Sequence, residues 1–202
     1  MDGEKEEEGL NIQLNDNLIP GTILDRKKMG NVTGIEFLNK IFYITDGIML
    51  AQIREISGID GSTLQNWTKR GWVENSKLKR YNKDQLAHIL IINMLRSSMQ
   101  LDKIAFIIRY INGNISDRED DIIRESVLYD YICRILDKLI TEEEVTGSLK
   151  DCIRQETSGY EEKISGARRR LDTALEIIIT AYYASLIKKS AESKLDAIMA
   201  KK

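Results

Sequence analysis

The chain has 202 residues, and its 30 cations against 32 anions leave a formal net charge of -2, so neither length nor net charge alone selects one domain over two or names a partner. A single proline, Pro20, beside 31% charged and 42% hydrophobic residues is the composition of a mostly helical protein. No apolar run approaches the length of a bilayer and no signal-peptide core is visible, which with two widely separated cysteines, Cys133 and Cys152, predicts a cytoplasmic protein with reduced thiols and no membrane partner.

Residues 1–31 begin with MDGEKEEEG, lack a sustained apolar period and hold the Pro20-Gly21 turn signal. They are expected to form an acidic, largely disordered tail and loop with a docked segment around Ile19. Thr33 followed by Glu36 has the spacing of a capping box, so a short helix carrying Ile35, Leu38, Ile41 and Phe42 should start there. LAQIREIS at 50–57 is the next helix, and Gly58 is placed to close it in the left-handed conformation. Ile59 then drops into the core and Asp60 caps a following helix by accepting from Ser62 or Thr63.

On that helix, roughly 61–70, Leu64 and Trp67 fall inward while Ser62, Gln65, Asn66 and Lys69 share the other side. Gly71 stops it. The polar stretch ENSKL between GWV and KRY then reads as a small hairpin with a flexible tip. Asn82 is placed to cap a helix to about Ser98, and another runs from about Asp102 to Asn112, ended by Gly113. Helical periodicity continues through Val127, Leu128, Tyr131, Ile132, Ile135 and Leu139, and Thr141 with Glu144 has capping-box spacing. From about Tyr160 the pattern is one long helix or two, with a stripe of Leu171, Leu175, Ile178, Tyr182 and Leu186 but no strict heptad.

Charge is divided unevenly along these elements. Residues 47–112 hold ten cations against five anions, a local excess of +5, while MDGEKEEEG and SDREDD carry much of the acidity. A basic module in an acidic chain points to an anionic partner.

The run ISGIDGSTLQNWTKRGWV followed by KRYNKDQL resembles the winged helix-turn-helix of the mercury-resistance-regulator (MerR) type, through Gly58, Ile59, Asp60, Thr63, Leu64, Trp67, Gly71, Trp72, Val73, Arg80, Tyr81, Asp84 and Leu86. Within that group it looks most like an uncharacterised branch from Gram-positive bacteria, catalogued as a domain of unknown function. The resemblance covers roughly residues 48–112. It implies a mostly α fold with a winged helix-turn-helix domain over 32–113 and a β-hairpin wing. A helical C-terminal region, 114–202, follows as a dimerisation or effector region. Gln65 and Asn66 stand where better-known members carry Arg and Tyr, and two further helical segments intervene at 122–157.

The chemistry expected of this surface is DNA recognition. Gln65 and Asn66 carry the amide donor-acceptor pair that meets adenine in the major groove. Ser62 and Thr63 suit a phosphate at a helix N-terminus. Lys69, Arg70, Lys77, Lys79 and Arg80, with Tyr81 closing the wing, complete the expected surface. The expected function is double-stranded DNA binding as a bacterial transcription regulator, homodimeric through its C-terminal helices. The alternative is a protein-interaction module on the same scaffold, and a ligand-gated regulator is a third reading.

Catalysis has little support. His88 is the single histidine and reads as a partly buried structural imidazole, with no Cys or His at metal spacing and no phosphate-binding loop, dinucleotide fingerprint or nucleophile elbow. No cofactor or metal is expected. Cys133 reads as core, with a thiol sensor as the lesser alternative, and the Arg168-Arg169-Arg170 run reads as a solvated face or as partners of Glu161 and Glu162.

Overall fold

The computed structural model describes residues 17–113, 119–141 and 149–200. Among them, eight helices and two short strands follow in the order α1 (Gly34–Ile41), β1 (Ile48–Met49), α2 (Leu50–Ser57), α3 (Gly61–Lys69), β2 (Arg80–Tyr81), α4 (Lys83–Leu95), α5 (Leu101–Asn112), α6 (Glu125–Thr141), α7 (Leu149–Glu156) and α8 (Ala167–Met199). The protein is therefore mostly helical with one two-stranded antiparallel sheet.

Helix α4 is apolar on every side, which only burial on every side tolerates. Leu86 to Ile92 are all buried, and α5, α6, α8 and α2 pack around them. Its start is set by Asn82, which accepts from Gln85 N at 2.9 Å while the Gln85 side chain accepts from Asn82 N at 2.9 Å, a reciprocal cap. Helix α6 lies along α1 and α4. Its first turn is held by Asp84 of α4, which accepts from Ser126 N at 3.0 Å.

One continuous core runs from Ile19 to Leu186. The expected division at residue 113 is thus not a boundary between two cores, because α6 fills the space beside α1 and α4. The expected docked segment around Ile19 is present, and the folded stretch runs from residue 17 to residue 31. Ile19 and Pro20 are buried, Leu18 bridges Asp25, Ile23 N donates to Ile56 O at 3.0 Å, and the buried Tyr129 hydroxyl of α6 donates to Pro20 O at 2.7 Å. Gly21 has no room for a Cβ, which would lie 2.3 Å from Leu90 O. Residues 1–16 lie outside the described residues, as does most of the Thr141-Glu144 capping pattern.

Three local expectations are corrected. Helix α1 starts after Thr33, but no side-chain cap forms within that segment. The Thr33 hydroxyl instead donates to Asp137 at 3.1 Å, and Ile35 N donates to Asp130 at 2.8 Å, so a carboxylate from α6 caps α1. The KRY strand also has a different partner. β2 pairs with β1 in the register Ile48↔Tyr81 and Met49↔Arg80, while the GWV side contributes no strand and the hairpin closes only through Lys77 and Arg80. The final segment forms one helix, and it begins at Ala167 rather than near Tyr160.

Replacing Tyr129 by Phe removes one buried hydroxyl and leaves Pro20 O without its donor. The expected cost is about 1–2 kcal/mol, seen as a lower urea midpoint at unchanged slope. An unmoved midpoint would mean that the N-terminal arm is not held through this bond.

Candidate nucleic-acid interface

Helix α2 buries Ile53 and Ile56 and ends at Gly58, whose φ of 69° is left-handed. Glycine takes that conformation without the clash a Cβ would bring. The reversal puts Ile59 into the core and Asp60 at the start of α3. Leu64 and Trp67 then anchor α3 from beneath, while Ser62, Gln65, Asn66 and Lys69 are exposed above. Trp67 is the packing anchor, with the Arg96 guanidinium 6.0 Å from its ring centre.

The N-terminus of α3 is more occupied than its sequence implies. Asp60 accepts from Thr63 N at 2.9 Å, from the Ser62 hydroxyl at 2.5 Å and from the Thr63 hydroxyl at 2.6 Å. These hydrogen bonds, the Ser62 hydroxyl first, hold the Asp60 carboxyl well below the usual carboxylate range. A phosphate brought to Ser62 and Thr63 would meet a carboxylate that already holds their protons. Both hydroxyls are thus engaged in capping α3.

Beyond α3, Gly71 adopts φ 69° and the chain turns back. Arg70 lies over the Trp72 ring at 5.1 Å. The hairpin tip is a two-residue turn closed by Lys77 N to Arg80 O at 3.1 Å and Arg80 N to Lys77 O at 2.9 Å. Its central residues, Leu78 and Lys79, have φ of 51° and 62°, positive at both positions as a type I′ turn requires. For residues other than glycine this conformation costs roughly 1–2 kcal/mol each. The tip is thus a defined turn, and the Leu78 side chain at its apex is 96% exposed. Sequence reasoning passed over Leu78. The available signal was an apolar residue in a short polar turn that contains neither glycine nor asparagine at its centre.

Arg80 is exposed, and its guanidinium donates to Gly47 O at 2.8 Å, fixing the base of the hairpin to the segment before β1. Lys77 and Lys79 are exposed beside it. Tyr81 is buried, so it is a core residue of the β1-β2 pair and cannot contribute its ring to a surface. Gln65, Asn66 and Lys69 share the face of α3, with Arg70 at its end, while Lys77, Lys79 and Arg80 form a separate cluster on the hairpin.

The other singled-out residues are structural in their contacts. His88 is buried with Nε2 2.8 Å from Trp72 O and Nδ1 3.7 Å from a Glu125 carboxylate oxygen, so it joins α4, the loop after α3 and α6. Burial pushes the Cys133 thiol up to about 12, which suppresses the thiolate that a sensor would use. Arg168 and Arg170 are held inward rather than by Glu161 or Glu162: Arg168 donates to Thr157 O at 2.8 Å and pairs with Asp172 at 3.4 Å, and Arg170 donates to Ile111 O at 2.7 Å. Among the described residues, no group of three or more His, Cys, Asp or Glu is arranged to hold a metal ion, and no helix is long and apolar enough to cross a membrane.

Residues 35–132 match the model of a family described as Domain of unknown function (DUF1836). The matched stretch runs from α1 into α6, across the position where the sequence suggested a domain boundary. The chain is also 28% identical over 144 residues to the uncharacterized protein YkrK of Bacillus subtilis (strain 168), an alignment covering 69% of this chain and 58% of that relative's length. These two matches fit an uncharacterised Gram-positive family. No solved structure matches the chain.

The Asp60 cap has a readable pH signature. Its folded carboxyl titrates below the value near about 4 of an unfolded aspartate, so the stability it contributes is present above that unfolded value and is lost as pH falls through the lower folded one. A carbon-detected NMR titration should place the Asp60 midpoint below those of other exposed aspartates. In Ser62→Ala/Thr63→Ala that midpoint should climb toward the ordinary range. An ordinary midpoint in the unmodified protein would remove the cap.

Proposed function

We propose that this chain is a sequence-reading, double-stranded DNA-binding transcription regulator of the winged helix-turn-helix type, with α2 and α3 as the helix pair and the 72–81 hairpin as the wing. The observation that carries the reading is the division of α3: Leu64 and Trp67 are buried while Gln65, Asn66 and Lys69 stand exposed together on the opposite side. An exposed amide pair beside cations is what adenine edges and flanking phosphates require. Gln65 and Asn66 are assigned to base edges, and Lys69, Arg70, Lys77, Lys79 and Arg80 to phosphates. Ser62, Thr63 and Tyr81 are left out of the contact set because their groups are engaged or buried.

A homodimer through α8 belongs to this reading. The inner stripe of α8, Leu171, Leu175, Ile178, Tyr182 and Leu186, is buried against the body. On the opposite side Ile177, Ala184, Ile187, Ala191, Leu195 and Ile198 are exposed, and at 3.6 residues per turn they fall within roughly 80° of arc. Laid antiparallel about Ala191 on a two-fold axis, this stripe meets its own copy with Ala184 against Ile198 and Ile187 against Leu195. Ala191 then faces itself on the axis. On one flank Lys188 then lies close in height to Glu192 of the second copy.

Fluorescence anisotropy against a labelled duplex from its own upstream region and a scrambled control tests the DNA contact. Binding should weaken steeply with salt. Gln65→Ala/Asn66→Ala should lose roughly 10- to 100-fold of its preference for its own region, and Lys69→Ala should lower the salt slope by about one with preference kept. Absence of binding to either duplex at low salt would overturn the reading. For the dimer, light scattering should give two copies for the unmodified protein and one for Ala191→Glu. A monomeric unmodified chain would remove the dimer and leave the DNA contact standing.

A further inference from the structure

The wing tip carries a leucine that neither local conformation nor packing accounts for. Leu78 occupies a left-handed position, φ 51°, in a two-residue turn where asparagine or glycine is free of strain. Its side chain is 96% exposed, the highest value among the exposed large apolar residues of the described chain, so it supports no core. Strain held at one position together with an apolar group held in water is the pattern of a residue kept for contact.

The surroundings name the partner. Lys77, Lys79 and Arg80 flank Leu78 on the same turn, and all are exposed. The base of the turn is fixed by β2 pairing with β1, by the Arg80 guanidinium on Gly47 O, and by Gln85 Nε2 donating to Asn75 O at 3.1 Å. Exposed apolar residues beside this hairpin, Ile44 and Met49, lie at its base, and the one apolar side chain at the tip is too small to anchor a protein interface of ordinary size. One leucine within a ring of cations does suit duplex DNA, whose phosphates line the minor groove on both sides. Apolar side chains, leucine among them, enter that groove as wedges between base steps and unstack them.

We infer that Leu78 is a minor-groove wedge: Lys77, Lys79 and Arg80 hold the phosphates on either side of the groove while the leucine enters a base step and kinks the duplex. The inference rests on the DNA-binding reading above. It adds a specificity element that makes no hydrogen bond to a base, because pyrimidine-purine steps such as TA and CA unstack most easily. Recognition by α3 and deformation by the wing would then select different positions of one site.

The test uses the full chain and duplexes from its own upstream region carrying 2-aminopurine at successive TA or CA steps, with donor and acceptor dyes at the ends. The unmodified protein should raise 2-aminopurine fluorescence at one step and bring the ends closer. Leu78→Ala should bind about tenfold more weakly, the scale of one leucine side chain removed from water, with neither signal. Leu78→Gly, which relieves the turn's strain and removes the wedge, should behave as Leu78→Ala does, whereas Leu78→Met should keep both signals. Circular dichroism checks that each variant is folded. Unmodified protein that binds without unstacking any step, or Leu78→Ala that binds and bends as the unmodified protein does, overturns the wedge and leaves the α3 contact intact. Failure of the unmodified protein to bind duplex at low salt overturns both.

Discussion

The placement of α3 depends on one half-buried side-chain amide that ties α4 to the end of α2. Asn93 projects from α4, and its Nδ2 donates to Gly21 O at 2.8 Å and to Ser57 O at 2.9 Å. Both amide hydrogens are used, while Oδ1 is buried without a hydrogen-bond partner. The reverse orientation would set an oxygen against two carbonyls, so the geometry admits one arrangement. Ser57 is the last residue of α2, and its hydroxyl donates to Ile53 O at 2.7 Å while accepting from Ile59 N at 3.2 Å. The end of α2, the left-handed Gly58 and the entry of Ile59 into the core are therefore all tied to α4. Everything in α3 follows from that turn.

The same economy appears in the carboxylates. Asp60 caps α3, Asp84 accepts from the first turn of α6, and Asp130 accepts from the first turn of α1. Each carboxylate sits at the positive end of a helix, where a negative charge is favoured. These three carboxylates are thereby committed to helix ends, and Asp137 to its pair with Arg26. The exposed side of α3 and the hairpin tip keep their cations turned outward. A chain with a net charge of -2 can so present a basic surface without a separate basic domain.

What was legible in the sequence is what depends on near neighbours. Leu50, Ile53 and Ile56 mark α2, Gly58 and Asp60 mark its turn, and Asn82 with Gln85 marks α4, because caps and helix faces are set within one or two turns of chain. The polar side of α3 was legible for the same reason. The unread features are long-range. Thr33 has the spacing of a cap, yet the carboxylate that serves α1 comes from Asp130, 95 residues away from Ile35 in sequence. Tyr81 pairs with Ile48 rather than with the nearer Val73 side, which turned an expected surface tyrosine into core. At close range the Asp60 cap was legible, but not that the carboxylate also takes the Ser62 and Thr63 hydroxyls, which the chain holds beside it.

The integration of α6 into the core changes what regulation through the C-terminal helices can mean physically. Trp72 O, two residues past the end of α3's cap, meets His88 of α4, and the other side of that ring faces Glu125 at the start of α6. α6 packs in turn on α7 and α8. From the end of α3 a chain of contacts thus leads through α4 and α6 to the buried side of α8, and close-packed interiors transmit displacement as shifts between discrete arrangements rather than as free hinge motion. Two copies joined through α8 would accordingly hold their two α3 helices at a separation set by rigid packing. Half-site spacing in the DNA would then be a property of the core, governed by residues such as Leu90, Tyr129 and Ile178 that touch no nucleotide.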